Sequence, residues 1–362
     1  MEITFLGTGS AYPTPTRGAS CIIFRNDGNY WMFDCGEGSQ IQLMRSSIKP
    51  GKISKIFVTH LHGDHLFGLP GLMCTISQNC PDHSEPIELY GPQGLRRYIR
   101  TSLELSRSML GFDYVVHELM LTDIMYPPDW KDWKVDHESQ GPLHPNEKLG
   151  ENIVPDEQGV WQVFSDATLT VKASWLTHRV PTVGYVIEEA TTTGKLDCVI
   201  LKAKGVPAGP LFAKIKAGES ITAPSGEIIL PKDVLGPAKL GRKVVFLGDT
   251  SNSENMMSIS QNASVVVHEA TLENEMHENA LEKGHSTPAM AAEFSKGVNA
   301  KQLILTHFSQ RYRTVTQETN DEETCKSVKK LQDQAKDIFG DNVLLAEDLV
   351  TIPVHRTTKQ CS

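Results

Sequence analysis

Short runs of apolar, β-branched and aromatic residues recur at 3–6, 21–24, 30–33, 56–59 and 87–90, separated by Gly- or Pro-containing turns. Such runs read as buried strands. Stretches with helical periodicity follow at 38–45, 66–76 and 94–105. The second half repeats the theme, with strand-like runs at 169–174, 184–187, 243–247, 264–268 and 302–306 and helical patterns near 288–296 and 324–338. Alternating strands and helices predict a layered α/β fold, and two comparable halves suit a sandwich of sheets covered by helices.

Two stretches break the pattern. Positions 126–159, rich in Pro, Gly, Asp and Glu, predict an acidic surface loop. Positions 191–232 carry Gly205, Pro207, Gly209, Pro210, Gly218, Pro224, Gly226 and Pro231 among lysines. A segment of that length and composition is expected outside the core, as a functional excursion or a linker. No apolar run approaches the ~20 residues that a membrane span needs. Residues 1–6 enter a strand-like run without the basic and long apolar regions of a leader peptide, so the cytosol or nucleus is the expected address, not the membrane or the exterior.

Composition alters the picture mainly through charge. At 362 residues, 39% hydrophobic and 22% charged, the chain is an ordinary globular one, but 35 Lys+Arg against 44 Asp+Glu give a net charge of −9. Taken whole, that argues against a nucleic-acid partner. The excess is local, however: 112–166 hold twelve acids and three lysines, 3 − 12 = −9, leaving the remainder neutral. Between Lys195 and Lys216 five lysines face one acid, a local charge of 5 − 1 = +4. Seven cysteines with no C-x-x-C pair read as reduced thiols, neither a disulfide framework nor a cysteine zinc site.

The histidines carry the chemistry. Thr59-His60-Leu61-His62-Gly63-Asp64-His65 closes a buried strand with four potential ligands in six positions. On extended backbone i and i+2 point the same way, so His60 and His62 can grip one ion while Asp64 and His65, past Gly63, face a second. Solvated loop residues would not be packed so densely. Further candidates stand at later strand ends: His178 after 169–176, Asp249 after 244–248 and His307 after 303–306. Each alone reads as a turn residue; together they form a consistent metal set.

H-x-H-x-D-H after an apolar strand resembles the hallmark of the metallo-β-lactamase fold, which implies an αββα sandwich with a metal site at one edge. Phe5-Leu6-Gly7-Thr8-Gly9-Ser10, the metal segment, His178 with Gly184-Tyr185, Phe246 to Thr250, His268-Glu269-Ala270-Thr271, Gly284-His285-Ser286-Thr287 and Thr306 to Tyr312 resemble, in order, the motifs of the RNase Z family in its short form. The resemblance spans nearly the whole chain. It implies an endoribonuclease that removes 3′ trailers from precursor tRNA, leaving a tRNA 3′-hydroxyl and a trailer 5′-phosphate. It also implies two zinc ions per subunit, one held by His60, His62 and His178, the other by Asp64, His65 and His307, with Asp249 bridging.

By the same resemblance Asp64 orients or deprotonates the attacking water, and His268, tuned by Glu269 or Asp64, is the candidate general acid. His285, Ser286 and Thr287, at a helix start before Pro288, and Arg311 are candidate RNA contacts. Segment 205–211 is similar to the Gly-Pro motif of the family's flexible arm, which makes 191–232 a protruding tRNA-binding arm with Lys202, Lys204, Gly209, Pro210, Lys214 and Lys216 as contacts. In the family the arm of one subunit serves the site of the other, so a homodimer is implied. One loop departs from the pattern: Pro-x-Lys-x-Arg-Asn is replaced by Pro13-Thr14-Pro15-Thr16-Arg17-Gly18, which bears on how nucleotides beyond the cleavage point, including a CCA end, are handled. Two other functions compete with this one: a hydrolase of small phosphodiesters or thioesters on the same fold, and a non-catalytic tRNA-binding relative. The arm and the His-Glu-Ala-Thr motif argue against the first, the complete ligand set against the second.

Overall fold

The computed structural model describes residues 1–80, 85–133, 135–138, 141–314 and 327–356. The start of the helical pattern at 324–338, and Cys325 and Cys361, lie outside the described residues. Among them, two large sheets carry the fold. In the first, the strands run in the order Thr351–Pro353, Glu2–Gly7, Cys21–Asn26, Asn29–Phe33, Ile53–Phe57, Ile87–Pro92, Tyr114–Leu119 and Glu147–Lys148, with Asn152–Ile153 also paired to Tyr114–Leu119. In the second the order is Val343–Leu345, Leu303–Thr306, Val265–Glu269, Lys243–Phe246, Thr182–Glu189, Leu169–Leu176 and Val160–Ser165.

Strand alternation explains why the sheets face one another. Ile3 and Phe5, Val171 and Ala173, Val265 and Val267 all point into one shared core, while Leu6, Ile56, Val186 and Val266 point outward to helices. The shared core is aromatic: Phe33 stacks on Phe57 at 4.8 Å and on Phe246 of the opposite sheet at 4.2 Å, with Tyr185 edge-on to Phe57 at 5.4 Å. Helices Ser39–Arg45, Leu69–Asn79 and Leu95–Leu105 bury their apolar faces on the first sheet, and Pro288–Gly297 and Val328–Phe339 on the second. The layers are therefore helix, sheet, sheet, helix. Each large core side chain contributes roughly 1.5–3 kcal/mol relative to exposure.

The structure departs from the sequence reading at four places. The helical pattern at 66–76 is interrupted at Phe67 and Gly68, so a short helix, Gly63–Leu66, precedes Leu69–Asn79. Strands Tyr114–Leu119 and Val160–Ser165 extend the sheets where no strand was expected. The acidic stretch 126–159 is not all loop: Glu147–Lys148 and Asn152–Ile153 add to the edge of the first sheet. Its charge is also partly absorbed, because three arginines of helix Leu95–Leu105 turn toward it. Arg100 forks onto Glu147 at 2.7 and 2.8 Å in a buried pair, Arg96 meets Glu118 at 3.0 Å and Arg97 meets Asp136 at 2.9 Å.

The fourth departure is the arm, which has a core of its own. Helices Cys198–Ala203 and Pro210–Lys216 and the hairpin Ile221–Thr222 with Ile228–Ile229 enclose Leu196, Leu201, Val206, Ile215, Ile229 and Val234. It extends past the expected end at 232, because Leu235 and Lys239 return along Leu196 and Thr192. These bridges form a two-chain stalk rooted where Glu189 and Arg242 join the second sheet. The two chains come so close that a Cβ on Gly194 would lie 1.8 Å from the Gly236 carbonyl oxygen, which only glycine permits.

Candidate metal centre and active site

At one edge of the sandwich the chain leaves five strands close together, and each departure delivers a polar side chain. Past Ile53–Phe57, residues through His62 are extended and helix Gly63–Leu66 then turns, which aims His60 and His62 one way and Asp64 and His65 another. Leu169–Leu176 delivers His178, Lys243–Phe246 delivers Asp249, Val265–Glu269 ends in Glu269, and Leu303–Thr306 delivers His307. Two contacts sew the sheets together here: Val183 N–H donates to the Thr59 carbonyl at 3.0 Å and Tyr185 OH to the Val58 carbonyl at 2.7 Å.

The donor atoms converge. His60 Nε2 and His178 Nε2 lie 3.1 and 3.2 Å from His62 Nδ1. His65 Nε2 and His307 Nε2 are 3.3 Å apart, and Asp64 Oδ2 is 3.6 and 3.3 Å from them. Asp249 stands between the groups with its oxygens divided: Oδ1 is 3.3 and 3.4 Å from His65 and His307, and Oδ2 is 3.9 Å from both His60 and His178. All seven expected ligands are thus brought together.

Two observations show that these residues fit a metal. A tetrahedral zinc bound at about 2.0–2.1 Å sets nitrogen and oxygen ligands ~3.3 Å apart, and the donor atoms within each group lie 3.1–3.6 Å apart, with Asp249 Oδ2 farther, at 3.9 Å from His60 and His178. In addition, the ring nitrogen turned away from the centre is held in four cases: His60 Nδ1 by Thr59 Oγ1 at 3.0 Å, His65 Nδ1 by Asp34 at 2.7 Å, His178 Nδ1 by the Gly284 carbonyl at 2.6 Å and His307 Nδ1 by Thr271 Oγ1 at 3.0 Å. Such outer partners fix the ring orientation of ligating histidines. Protonation agrees. Burial and neighbouring histidines push His60 down and His62 to about 4, leaving neutral donors. Against burial, the adjacent imidazoles hold Asp64 and Asp249 ionised. His65, ringed by Asp249, Asp34 and Asp64, is driven up despite its burial, so metal binding there displaces a proton.

Asp34 escaped the sequence reading. It sits at a positive φ of 59° just after strand Asn29–Phe33, accepts from Thr59 N–H and Oγ1 at 2.7 and 2.9 Å, and holds His65. An aspartate after a strand is too common to mark a site by itself.

His268 requires a correction. Along Val265–Glu269, Val265 and Val267 face the inter-sheet core and Val266 faces the helices, and the same alternation sends His268 to the helix side. It is 0% exposed, its Nδ1–H donates to the Glu269 carbonyl (2.8 Å) and its ring packs against the Phe294 ring. Burial lowers it further from an acid's requirements. Glu269, on the other face, does reach the site. It accepts from Thr250 N–H at 2.6 Å and Thr271 Oγ1 at 2.5 Å and lies 3.2 Å from His285 Nδ1. His285 remains 20% exposed, 3.7 Å from Asp249, its ring beside those of His178 and His307. Against burial, the Glu269 and Asp249 carboxylates raise it to about 9.

Ser286 and Thr287 also need correcting as RNA contacts. Both are buried: Ser286 Oγ donates to the Thr250 carbonyl at 2.5 Å and Thr287 occupies the N-cap of Pro288–Gly297. They shape the turn that presents His285 and do not offer hydroxyls outward. Arg311 is exposed, with Nη1 3.0 Å from Met276 Sδ. In the arm, Lys202, Lys214 and Lys216 are exposed, Lys204 pairs with Glu227, and Gly209, at φ 149°, sets Pro210 at the first position of its helix.

Known proteins are similar to this chain over nearly its whole length. The chain is 45% identical over 361 residues to human "Zinc phosphodiesterase ELAC protein 1", covering 98% of each, and 38% identical over 359 residues to "Ribonuclease Z" of Enterococcus faecalis, again covering 98% of each. The chain belongs to the ribonuclease Z family. Among solved structures, that of the short form of human tRNase Z is similar at a TM-score of 0.67 and 38% identity, over 98% of this chain and 100% of that one. The yeast long form of RNase Z shares the fold at a TM-score of 0.55 and 20% identity, this chain covering 41% of it. A family model described as anti-Pycsar protein Apyc1 matches residues 1–111, which span the metal segment and most of the first sheet. The fold is that of the metallo-β-lactamase superfamily, and the ribonuclease Z family to which the chain belongs consists of metal-dependent hydrolases. No helix among the described residues is long and apolar enough to cross a membrane.

Proposed function

We propose that this protein hydrolyses the phosphodiester at the 3′ end of precursor tRNA, releasing the trailer with a 5′-phosphate and leaving a tRNA 3′-hydroxyl. It does so as a homodimer with two zinc ions per subunit, in the cytosol or nucleus. The observation that carries the reading is the divided Asp249 carboxylate, one oxygen toward His65 and His307 and the other toward His60 and His178. A single ion would need only one of those sets. His60, His62 and His178 would hold one ion, and Asp64, His65 and His307 the other.

When bound, the ions supply positive charge that lowers a water's pKa and offsets charge on the phosphoryl oxygens. Asp64 orients that water. Its Oδ2 is fixed by the Ala11 N–H at 2.7 Å, leaving Oδ1 to accept a proton. His285 takes the role expected of His268: with Nδ1 held by Glu269, its partly exposed ring donates a proton from Nε2 to the departing ribose 3′ oxygen. His268 fills the helix side of its strand and takes no part. The lysines of the arm, Lys202, Lys214 and Lys216, neutralise phosphates of the tRNA body without reading sequence, which suits a substrate class of many sequences. Exposed Ile41 and Met44 on helix Ser39–Arg45 support a subunit interface.

The test is cleavage of a trailer-bearing precursor tRNA. Asp64→Ala and His285→Ala are expected to lose at least about 10²-fold in kcat, while His268→Asn keeps its rate to within a few-fold once its thermal stability has been checked. Unchanged cleavage by His285→Ala would return the acid role to another group.

A further inference from the structure

Beside the metal centre, but outside it, lies a cleft of about 380 Å³ whose walls are mostly apolar. Its inner wall comes from the metal segment itself: Leu61 is flanked by the ligands His60 and His62, and Pro181 follows His178 by three residues. Its outer wall comes from the stretch after Tyr114–Leu119, where Trp130 and His137 line the cleft and form a triangular cluster of rings with Tyr126, which is 5.5 Å from Trp130. Trp130 and His137 lie 5.7 Å apart at 28°, Tyr126 and His137 6.1 Å apart at 17°. Tyr98 of helix Leu95–Leu105 closes one side, itself stacked on exposed Phe67.

Gly94 shows how close the two walls stand. At φ 106°, a conformation that suits glycine, a Cβ there would lie 3.2 Å from both His137 and Leu61. A side chain at residue 94 would therefore crowd the space between Leu61 and His137. None of the groups assigned to the hydrolytic step uses it.

We propose that this cleft takes an unstacked nucleobase of the substrate strand, one of the two bases that flank the scissile phosphate. The inference rests on the function proposed above. A phosphate at the metal centre carries its neighbouring nucleotides past Leu61 and Pro181, so a base swung off the strand meets the cleft first. A flat heteroaromatic face can stack on the Trp130 or the His137 ring that lines the cleft, and such stacking accepts any base. Gln93, Thr101 and Ser102 on the wall offer hydrogen bonds to a base edge. A mostly apolar, ring-lined site matches a base better than a phosphate, because Arg97, the guanidinium on its wall, is already paired with Asp136 at 2.9 Å.

The experiment uses the zinc-loaded full-length protein and precursor tRNAs carrying 2-aminopurine either at the last tRNA nucleotide or at the first trailer nucleotide, followed by stopped-flow fluorescence before turnover. Quenching of at least twofold is expected at one of the two positions, which identifies the side of the bond. Trp130→Ala should abolish most of it and Trp130→Phe restore it. In cleavage assays an abasic nucleotide at that position and Trp130→Ala should each lower kcat/KM about tenfold, and together no further than either alone. Absence of quenching at both positions, or additive losses, would overturn the inference. The abasic substrate leaves the protein intact, so misfolding of the variant cannot mimic the result. If unmodified precursor tRNA is not cleaved at all, the proposed function falls with it; if it is cleaved without coupling, only the cleft assignment falls.

Discussion

The metal centre and the basic arm are anchored in different ways. The ligands leave strands whose inward faces share one aromatic core, Phe33 stacked on Phe57 and Phe246, and their outer nitrogens are tied by Thr59, Asp34, Gly284 and Thr271. The arm instead stands on a small core of its own, Leu201, Ile215 and Ile229 among its members, joined to the body by the stalk at 191–241. Holding metal at the proposed positions demands positional accuracy, which packing on two sheets supplies. Presenting lysines to phosphates demands reach. The two tasks are separable because no part of the arm's core is shared with the sandwich.

Three experiments would break or sharpen that separation. Asp249→Ala removes the carboxylate shared by both ligand groups, so zinc content by elemental analysis should fall at both positions and hydrolysis of every phosphodiester should drop to background. Retention of one full equivalent of zinc with activity would mean that the centre is not shared. Replacing 192–239 by a short turn should leave hydrolysis of a small phosphodiester within about twofold, while precursor tRNA binding weakens and its dependence on salt flattens by roughly one unit of log–log slope per lysine lost. Equal loss on both substrates would show that the arm supports the centre after all. Smallest is a shift in pH dependence. Glu269 and Asp249 raise His285 against its burial, so an acid at His285 loses its proton, and the rate declines, as pH rises. Glu269→Gln takes away one raising carboxylate and should move that descending limb to lower pH in a pH–rate profile, with zinc content unchanged.

The convergence of the candidate metal ligands was legible in the sequence because each stands just past an apolar run, and a strand end fixes both where a side chain is and which edge it joins. His268 and Glu269 were legible only as a pair. Deciding which of the two faces the site required knowing which face of Val265–Glu269 meets the other sheet, and a run of five buried residues hides that alternation. Asp34 was invisible since its role depends on contacts 25 and 31 positions away. The arm's core was missed for another reason: Leu196, Leu201, Val206 and Ile215 are spread among glycines, prolines and lysines that dominate the composition. The acidic stretch misled by arithmetic alone, since Arg96, Arg97 and Arg100, which answer three of the acids in and beside it, fall outside the window counted.

The stalk has one more consequence. A ladder of extended backbone lengthens only in whole units: one added residue per strand turns every following side chain to the opposite face, and two restore it. The stalk pairs through the bridges Thr192–Lys239 and Leu196–Leu235, and two residues added to each of its chains would move the lysine-bearing helices about 6–7 Å from the proposed metal ligands. A protein built this way can be retuned to a longer or shorter substrate by inserting or deleting pairs of residues, with the chemistry at one end and the grip at the other left as they are.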